Sequence, residues 1–230
     1  MVVFQALTWE ARDGEDEHLI SIFGKTENGK SVCVTTAFTP YFFIKLPSGV
    51  DSQKVQRIYD ILSSQCKDSL IAYSLMKSKD VWGFQNNEEF AFMKINFKDL
   101  QARRLVDSFL RKPLDRSPEL YEIFGVRNVK VYESNLDPVL RLMHRTGIQS
   151  TGWLDSGERC VRSHIANVDI DLFCNDWTTL KPVARDDIAP FVVASVDIEC
   201  NSSTRKFPDA NIPDDACFQI AISLCKFGSD

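Results

Sequence analysis

An α+β fold is predicted by three features of the 230-residue sequence. Short alternating apolar runs fill its beginning, which is typical of an antiparallel sheet. Strand and helix patterns then follow in the order β-α-β-β-α-β, which defines the split βαβ arrangement. Two apolar runs near the end, joined by a polar loop, predict the strands of a separate sheet.

The opening sheet is predicted from residues 2–9, 18–23 and 31–36, whose apolar side chains recur at strand spacing. Residues 11–17 are charged and turn-like. The dipeptide Asn28-Gly29 tolerates positive φ and suits a tight connection between two strands. We therefore expect a small antiparallel sheet at the start of a mixed β-sheet domain.

A split βαββαβ unit, as in ferredoxin-like and RNA-recognition folds, is predicted to follow. Asp51 can cap a helix whose apolar side chains Val55, Ile58 and Leu62 share one face. Residues 100–110 form a second amphipathic pattern. Such a sheet can present aromatic side chains to stacked bases, but we expect most of its aromatics to pack in the core. Its strands are predicted at residues 41–46, 70–76, 90–97 and 126–132.

The next segment is predicted to hold one helix, two strands and a linker. Asp137-Pro138 can begin the helix, and Gly147 can end it. Strands are predicted at residues 148–154 and 160–165, and the polar residues 169–187 are interpreted as linking sequence. The predicted division is an N-terminal domain over residues 1–175, a linker over 176–190 and the start of a second domain over 191–230.

Composition limits the classes of function. The net charge is −5, which is not the footprint of an autonomous DNA-binding domain. The seven cysteines are scattered without a C-x-x-C pair, so we expect reduced thiols of an intracellular protein and no zinc site. We find neither a bilayer-spanning apolar run nor a secretory leader, and we expect no membrane association.

Two acids, Asp197 and Glu199, end the apolar run at residues 191–200. Because strand side chains alternate between faces, we expect both carboxylates to point the same way. Paired carboxylates suit a hard divalent cation such as Mg²⁺. A strand that ends in solvated acids is the alternative, since D-x-E is a short pattern. We expect this strand and the following apolar run, residues 216–227, to be apolar on both faces, as in a sheet covered by helices.

The sequence around these acids resembles the first exonuclease motif of family B DNA polymerases, in particular the delta-type catalytic subunits and their relatives in large DNA viruses. The resemblance covers most of the chain, because several motifs occur in the family's order. Those motifs are Phe38-Thr39-Pro40-Tyr41-Phe42-Phe43, Tyr132-Glu133-Ser134-Asn135, Thr146-Gly147-Ile148, Gly152-Trp153-Leu154, Trp177-Thr178-Thr179-Leu180-Lys181-Pro182, Asp187-Ile188-Ala189-Pro190, Phe207-Pro208 and Asp215-Ala216-Cys217-Phe218-Gln219-Ile220.

The resemblance implies that residues 191–230 open a ribonuclease H-like 3′→5′ exonuclease domain. It implies that Asp197 bridges two Mg²⁺ ions, and that Glu199 binds one of them and orients the attacking water. Two further aspartates of the family's site belong to later motifs, so we expect an N-terminal fragment that is inactive by itself. Phe207 lies where relatives contact the single-stranded 3′ end of DNA.

The same resemblance implies a DNA-directed DNA polymerase in replication. The expected partners are primer-template DNA, dNTPs and a processivity clamp, and the expected location is the nucleus or a viral replication site. Two alternatives stay open. A stand-alone exonuclease would need more carboxylates, and a non-catalytic nucleic-acid-binding module on the split βαβ sheet is disfavoured by the acidic charge.

Overall fold

The computed structural model describes residues 1–67 and 69–227, and it contains two sheets, a two-stranded ribbon and four α-helices in those residues. The strands are β1 Val3–Asp13, β2 His18–Lys25, β3 Ser31–Ala37, β4 Tyr41–Lys45, β5 Leu70–Ser78, β6 Phe90–Phe97, β7 Val131–Tyr132, β8 Trp153–Asp155, β9 Cys160–Arg162, β10 Ile170–Cys174, β11 Lys181–Val183, β12 Val192–Cys200 and β13 Cys217–Lys226. The helices are α1 Ser52–Gln65, α2 Leu100–Leu110, α3 Pro118–Phe124 and α4 Pro138–Thr146, and short 3₁₀ turns lie at Leu114–Arg116 and Trp177–Thr179.

The first sheet has seven strands in the order β11-β8-β1-β2-β3-β10-β9. Neighbouring strands of this sheet are antiparallel, except that β10 runs parallel to β3. The sheet is therefore mixed. The core on this sheet contains Phe4, Ile22, Val34 and Leu154, all fully buried. The predicted strands at 2–9, 18–23 and 31–36 are confirmed, and β1 extends to Asp13 because its last residues still pair with β2.

The interpretation of residues 169–187 as linking sequence is wrong in its first part. Ile170–Cys174 is strand β10, which pairs with β3 from Ile170↔Val32 to Cys174↔Thr36. Cys174 is fully buried, and Ile170 and Leu172 pack against the same core. The strand is indicated by apolar residues at every second position, namely Ile170, Leu172 and Cys174. This pattern covers only five residues, and the acids on either side make the segment look polar as a whole.

The second sheet has four strands in the order β5-β6-β4-β7, and all neighbouring strands are antiparallel. Helix α1 connects β4 to β5, and α2 and α3 lie between β6 and β7. Asp51 and Asp99 cap α1 and α2, since their Oδ1 atoms accept hydrogen bonds from Lys54 N at 2.8 Å and Ala102 N at 2.7 Å. The helices cover one face of the sheet and bury Phe42, Ile44, Val55, Ile58, Leu62, Met93, Ile95, Phe97, Val106 and Leu110.

The strand predicted at residues 126–132 is much shorter in the structure. Only Val131–Tyr132 pairs with β4, and an unpredicted helix, α3, precedes it. Leu120 and Phe124 of α3 are buried in the core of the second sheet, and Gly125 ends the helix at a φ of 61°. The helix has only seven residues, which gives too few turns for a clear helical period.

Residues after β10 pack along the first sheet before the chain reaches the ribbon. Strand β11 pairs with β8, and Leu180 and Ala189 are buried. Trp153 Nε1 donates a hydrogen bond to the carbonyl oxygen of Asp187 at 2.7 Å, and the Arg185 guanidinium lies 4.0 Å from the centre of the Trp153 ring. In the described part of the chain, no helix is long and apolar enough to cross a membrane.

Candidate functional site

Both predicted site acids lie on the ribbon of strands β12 and β13. Asp197 is opposite Ala221 and Glu199 is opposite Gln219 in the antiparallel register. Paired residues share a face of the ribbon, and residues two apart on one strand share it too. The two carboxylates therefore point from one face, which also carries the hydroxyls of Ser195 and its partner Ser223.

The opposite face of the ribbon is apolar and open to solvent. The expectation that both faces are apolar is therefore wrong, because the register collects the polar side chains on the face of the acids. Apolar and polar residues alternate from Ala194 to Glu199, so Val196 and Ile198 point away from the face that carries Asp197. The exposed apolar side chains of this face are Val192, Val196, Ile198, Ile220, Ile222 and Leu224.

Asp215 organises the loop that connects the two ribbon strands. Its Oδ1 accepts hydrogen bonds from Ser203 N at 2.7 Å and Ser203 Oγ at 2.8 Å, and its Oδ2 accepts one from Asp209 N at 3.0 Å. The hydrogen bond from the Ser203 backbone N–H, with that from Asp209, lowers the pKa of this carboxyl. Sequence reasoning gave Asp215 no role, because its partners lie six and twelve residues away.

This loop and the end of β12 enclose a cavity of about 650 Å³. Glu199 and Phe207 both line it, whereas Asp197 lies outside its lining. Phe207 is 93% exposed, so its ring is available to a ligand rather than packed in its own domain. The structure thus brings Glu199 and Phe207 to one cavity and leaves Asp197 one step along the polar face. The other lining residues are Ile198, Cys200, Pro208, Asp209, Ala210, Asp215, Ala216 and Cys217.

The two acids fit part of a metal site. Carboxylate oxygens are the ligands that Mg²⁺ prefers, and both groups point from one face. Within residues 1–67 and 69–227, no group of three or more His, Cys, Asp or Glu side chains is placed to hold a metal ion. Asp197 and Glu199 would therefore need ligands from outside this set to close a coordination shell.

Comparison with known proteins places these features in a family. The sequence model "DNA polymerase family B, exonuclease domain" matches residues 129–230, which include both acids and Phe207. A DNA polymerase of Acanthamoeba polyphaga mimivirus is 30% identical over 98% of this chain. The DNA polymerase delta catalytic subunit of Schizosaccharomyces pombe is 28% identical over 91% of it. The chain belongs to the family B DNA polymerases.

A solved structure gives the same result for the fold. The family B DNA polymerase of the archaeon Pyrobaculum calidifontis superposes on 97% of this chain with a TM-score of 0.68 and 18% sequence identity. This family B chain spans only part of these relatives: 14% of the mimivirus protein, 20% of the fission yeast protein and 25% of the archaeal chain. The fold of the two sheets and the ribbon is therefore shared with a small portion of much longer polymerases.

Proposed function

We propose that this chain forms the N-terminal domain and the first exonuclease strands of a replicative DNA-directed DNA polymerase with 3′→5′ proofreading activity. The observation that supports this most is the position of Asp197 and Glu199. They share one face of a strand pair within the segment that matches the family's exonuclease domain. A strand that ended in merely solvated acids would share that face too, but it would not produce the match to the exonuclease domain.

The proposed role of the two acids is to hold Mg²⁺ at the 3′ end of a DNA strand. Bound Mg²⁺ would lower the pKa of a coordinated water and stabilise negative charge on the phosphodiester. Asp197, nearer the middle of the strand, and Glu199, at the mouth of the loop cavity, would hold the metal, and Glu199 would also orient the attacking water. The same face of the ribbon also carries the hydroxyls of Ser195 and Ser223.

Phe207 is proposed to contact the unpaired 3′ end. Its exposed ring lines the same cavity as Glu199, and an exposed aromatic ring stacks on a base without sequence preference. A base stacked on Phe207 would bring the adjacent phosphodiester toward the acids. The full polymerase is proposed to take primer-template DNA and dNTPs, to bind a processivity clamp, and to act in the nucleus or at an intracellular site of viral replication.

The domain division is proposed as residues 1–175, a linker over 176–190 and an exonuclease part over 191–230. The packing of 176–190 against the first sheet supports a linker that is fixed rather than free. The strand order β5-β6-β4-β7, with helices on one face, supports a split βαββαβ unit in the first domain. Pairing of β12 with β13 supports the first two strands of a ribonuclease H-like sheet.

The test uses the longer polymerase that contains this chain. We expect Asp197→Ala to abolish digestion of a 3′-mismatched primer while extension of a matched primer persists, because polymerisation uses a separate site. Glu199→Ala should do nearly the same, since the attacking water loses its orientation. Ser195→Ala, on the same face, is the matched control and should keep digestion. Wild-type digestion by Asp197→Ala would show that these acids are only solvated surface.

A further inference from the structure

The loop between β5 and β6, at the edge of the second sheet, holds large apolar side chains in water. Trp82 is 71% exposed and Phe84 is 94% exposed, and Val81 between them and the strand is exposed as well. Single exposed apolar residues are common on protein surfaces. Two exposed aromatic rings within three residues of one loop are unusual, because their contact with water is unfavourable. No side chain of the described residues covers these two rings.

The base of this loop is fixed in place. The side chain of Asp80 is 1% exposed and forms an ion pair with Lys45. The distance from Lys45 Nζ to Asp80 Oδ2 is 2.8 Å. Tyr132 Oη donates to Asp80 Oδ1 at 2.9 Å, and Trp82 N donates to the same oxygen at 3.2 Å. The Gln85 side chain donates to the carbonyl oxygen of Trp82. The indole is therefore presented from an anchored backbone rather than from a loose one.

A cleft of about 400 Å³ opens beside Trp82. Its volume falls within the range of small-molecule sites and is sufficient for one nucleotide. The cleft has an aromatic and aliphatic floor with two cations and no acid among its lining residues. Those residues are Trp82, Arg111, Val129, Lys130, Val131 and Tyr132.

Two cations line the cleft, and Lys130 is the one whose charge is not already paired at close range. The Arg111 guanidinium is oriented by Asp107 Oδ2 at 2.8 Å and by Ser134 Oγ at 3.0 Å. The Lys130 ammonium lies 3.8 Å from Asp80, whose charge is already balanced by Lys45 at 2.8 Å. Lys130 therefore keeps most of its charge for a ligand.

We propose that this cleft is a binding site for single-stranded nucleic acid, in which a base stacks on Trp82 and Lys130 and Arg111 contact the flanking phosphates. Aromatic rings beside a positive groove are the means by which proteins bind unpaired strands without sequence preference. An acidic peptide would match the two cations but would leave the indole without a planar partner. The site uses none of Asp197, Glu199 and Phe207, so it is independent of the proposed exonuclease function.

The experiment is a fluorescence-anisotropy titration of the 230-residue chain into a labelled oligothymidylate of about 12 nucleotides, in EDTA so that no divalent metal takes part. Trp82→Ala should weaken binding about 10- to 100-fold, because stacking on an aromatic ring contributes about 1–3 kcal/mol per base. Trp82→Phe keeps a ring and should restore most of the affinity. An unchanged thermal melt of Trp82→Ala will show that the variant is folded.

Salt dependence tests the cations separately. Lys130→Ala should weaken binding and reduce the slope of log K against log salt by about 0.7, the value for one phosphate contact on a single strand. Lys181, exposed on β11 of the first sheet, gives the charge-matched control Lys181→Ala, which should change neither quantity. An unchanged slope for Lys130→Ala would overturn its assignment to a phosphate.

Two outcomes would overturn the site as a whole. Binding that is lost in Phe207→Ala but kept in Trp82→Ala would place the strand at the loop after the acids. Displacement of the oligonucleotide by a polyglutamate peptide of equal charge at equal concentration would show that the cleft recognises charge alone, as a partner protein would require. The site is supported if the peptide displaces the oligonucleotide only weakly and the Trp82→Ala variant loses oligonucleotide binding.

Discussion

Lys45, the last residue of β4, forms an ion pair with Asp80 in the loop that follows β5, with Nζ and Oδ2 2.8 Å apart. Tyr132 of β7 donates its hydroxyl hydrogen to the other oxygen of Asp80 at 2.9 Å. The hydrogen bond from Lys45, together with that from Tyr132, lowers the pKa of Asp80 to about 2. Burial and the bond to Asp80 raise the pKa of Tyr132 to about 12. One loop carboxylate is thus bound to the ends of both β4 and β7.

Replacing this carboxylate should destabilise the second sheet. We expect Asp80→Asn to lower the free energy of unfolding by about 2 kcal/mol, because the change weakens charge-assisted hydrogen bonds and leaves Lys45 without its counter-charge. Asp16→Asn is the control, since Asp16 is exposed and its pair with Lys98 is on the surface. Urea denaturation at neutral pH measures both changes. Equal stability of the two variants would contradict a structural role for Asp80.

The contribution of Asp80 should also depend on pH in a defined window. Its pKa is lowered on folding from 3.8 to about 2, so the folded state favours the ionised form. The stabilisation is therefore present above about pH 4 and is lost as the pH falls toward 2. We expect the difference in unfolding free energy between wild type and Asp80→Asn to shrink between about pH 5 and about pH 2.5. A constant difference over this range would show that the carboxylate charge is not involved.

Local patterns were sufficient for many elements but not for this network. Asp51 and Asp137 were predicted as helix caps because a capping residue acts within three positions of itself, and both accept the expected backbone hydrogen bonds. Alternation likewise predicted that Asp197 and Glu199 share a face. Asp80 gave no such signal, since its partners Lys45 and Tyr132 are 35 and 52 residues away and only the fold brings them together.

The apolar face of the ribbon is expected to drive self-association of the 230-residue chain. Val196 and Ile222 lie opposite each other at its centre, and both are exposed. Contiguous apolar surface of this kind promotes contact between molecules. We expect Val196→Lys or Ile222→Lys to restore a monomer in sedimentation-velocity experiments. Ser195→Lys and Ser223→Lys, on the polar face, are matched controls that should leave association unchanged. A monomeric wild type at high concentration would contradict the prediction.

Binding of Mg²⁺ to the 230-residue chain should be weak and located at the two ribbon acids. Asp197 and Glu199 supply two carboxylates, and the described residues form no cluster of three metal-ligating side chains, so the dissociation constant should be roughly 1 mM or higher. Paramagnetic Mn²⁺ can replace Mg²⁺ as a probe in an NMR titration, because its line broadening reports proximity even when binding is weak. Broadening should centre on residues 197–199 and on Gln219 and Ala221 across the ribbon.

Asp197→Asn should remove this broadening, because one carboxylate alone holds a hard cation poorly. Asp186→Asn is the control, since Asp186 is an exposed acid on the segment before the ribbon and should not affect the signals. Broadening centred on another acidic segment would contradict the assignment of these two residues. Tight, micromolar binding would also contradict it, because such affinity requires more ligands than Asp197 and Glu199 provide. Weak binding that is lost in Asp197→Asn is the outcome expected of one half of a shared metal site.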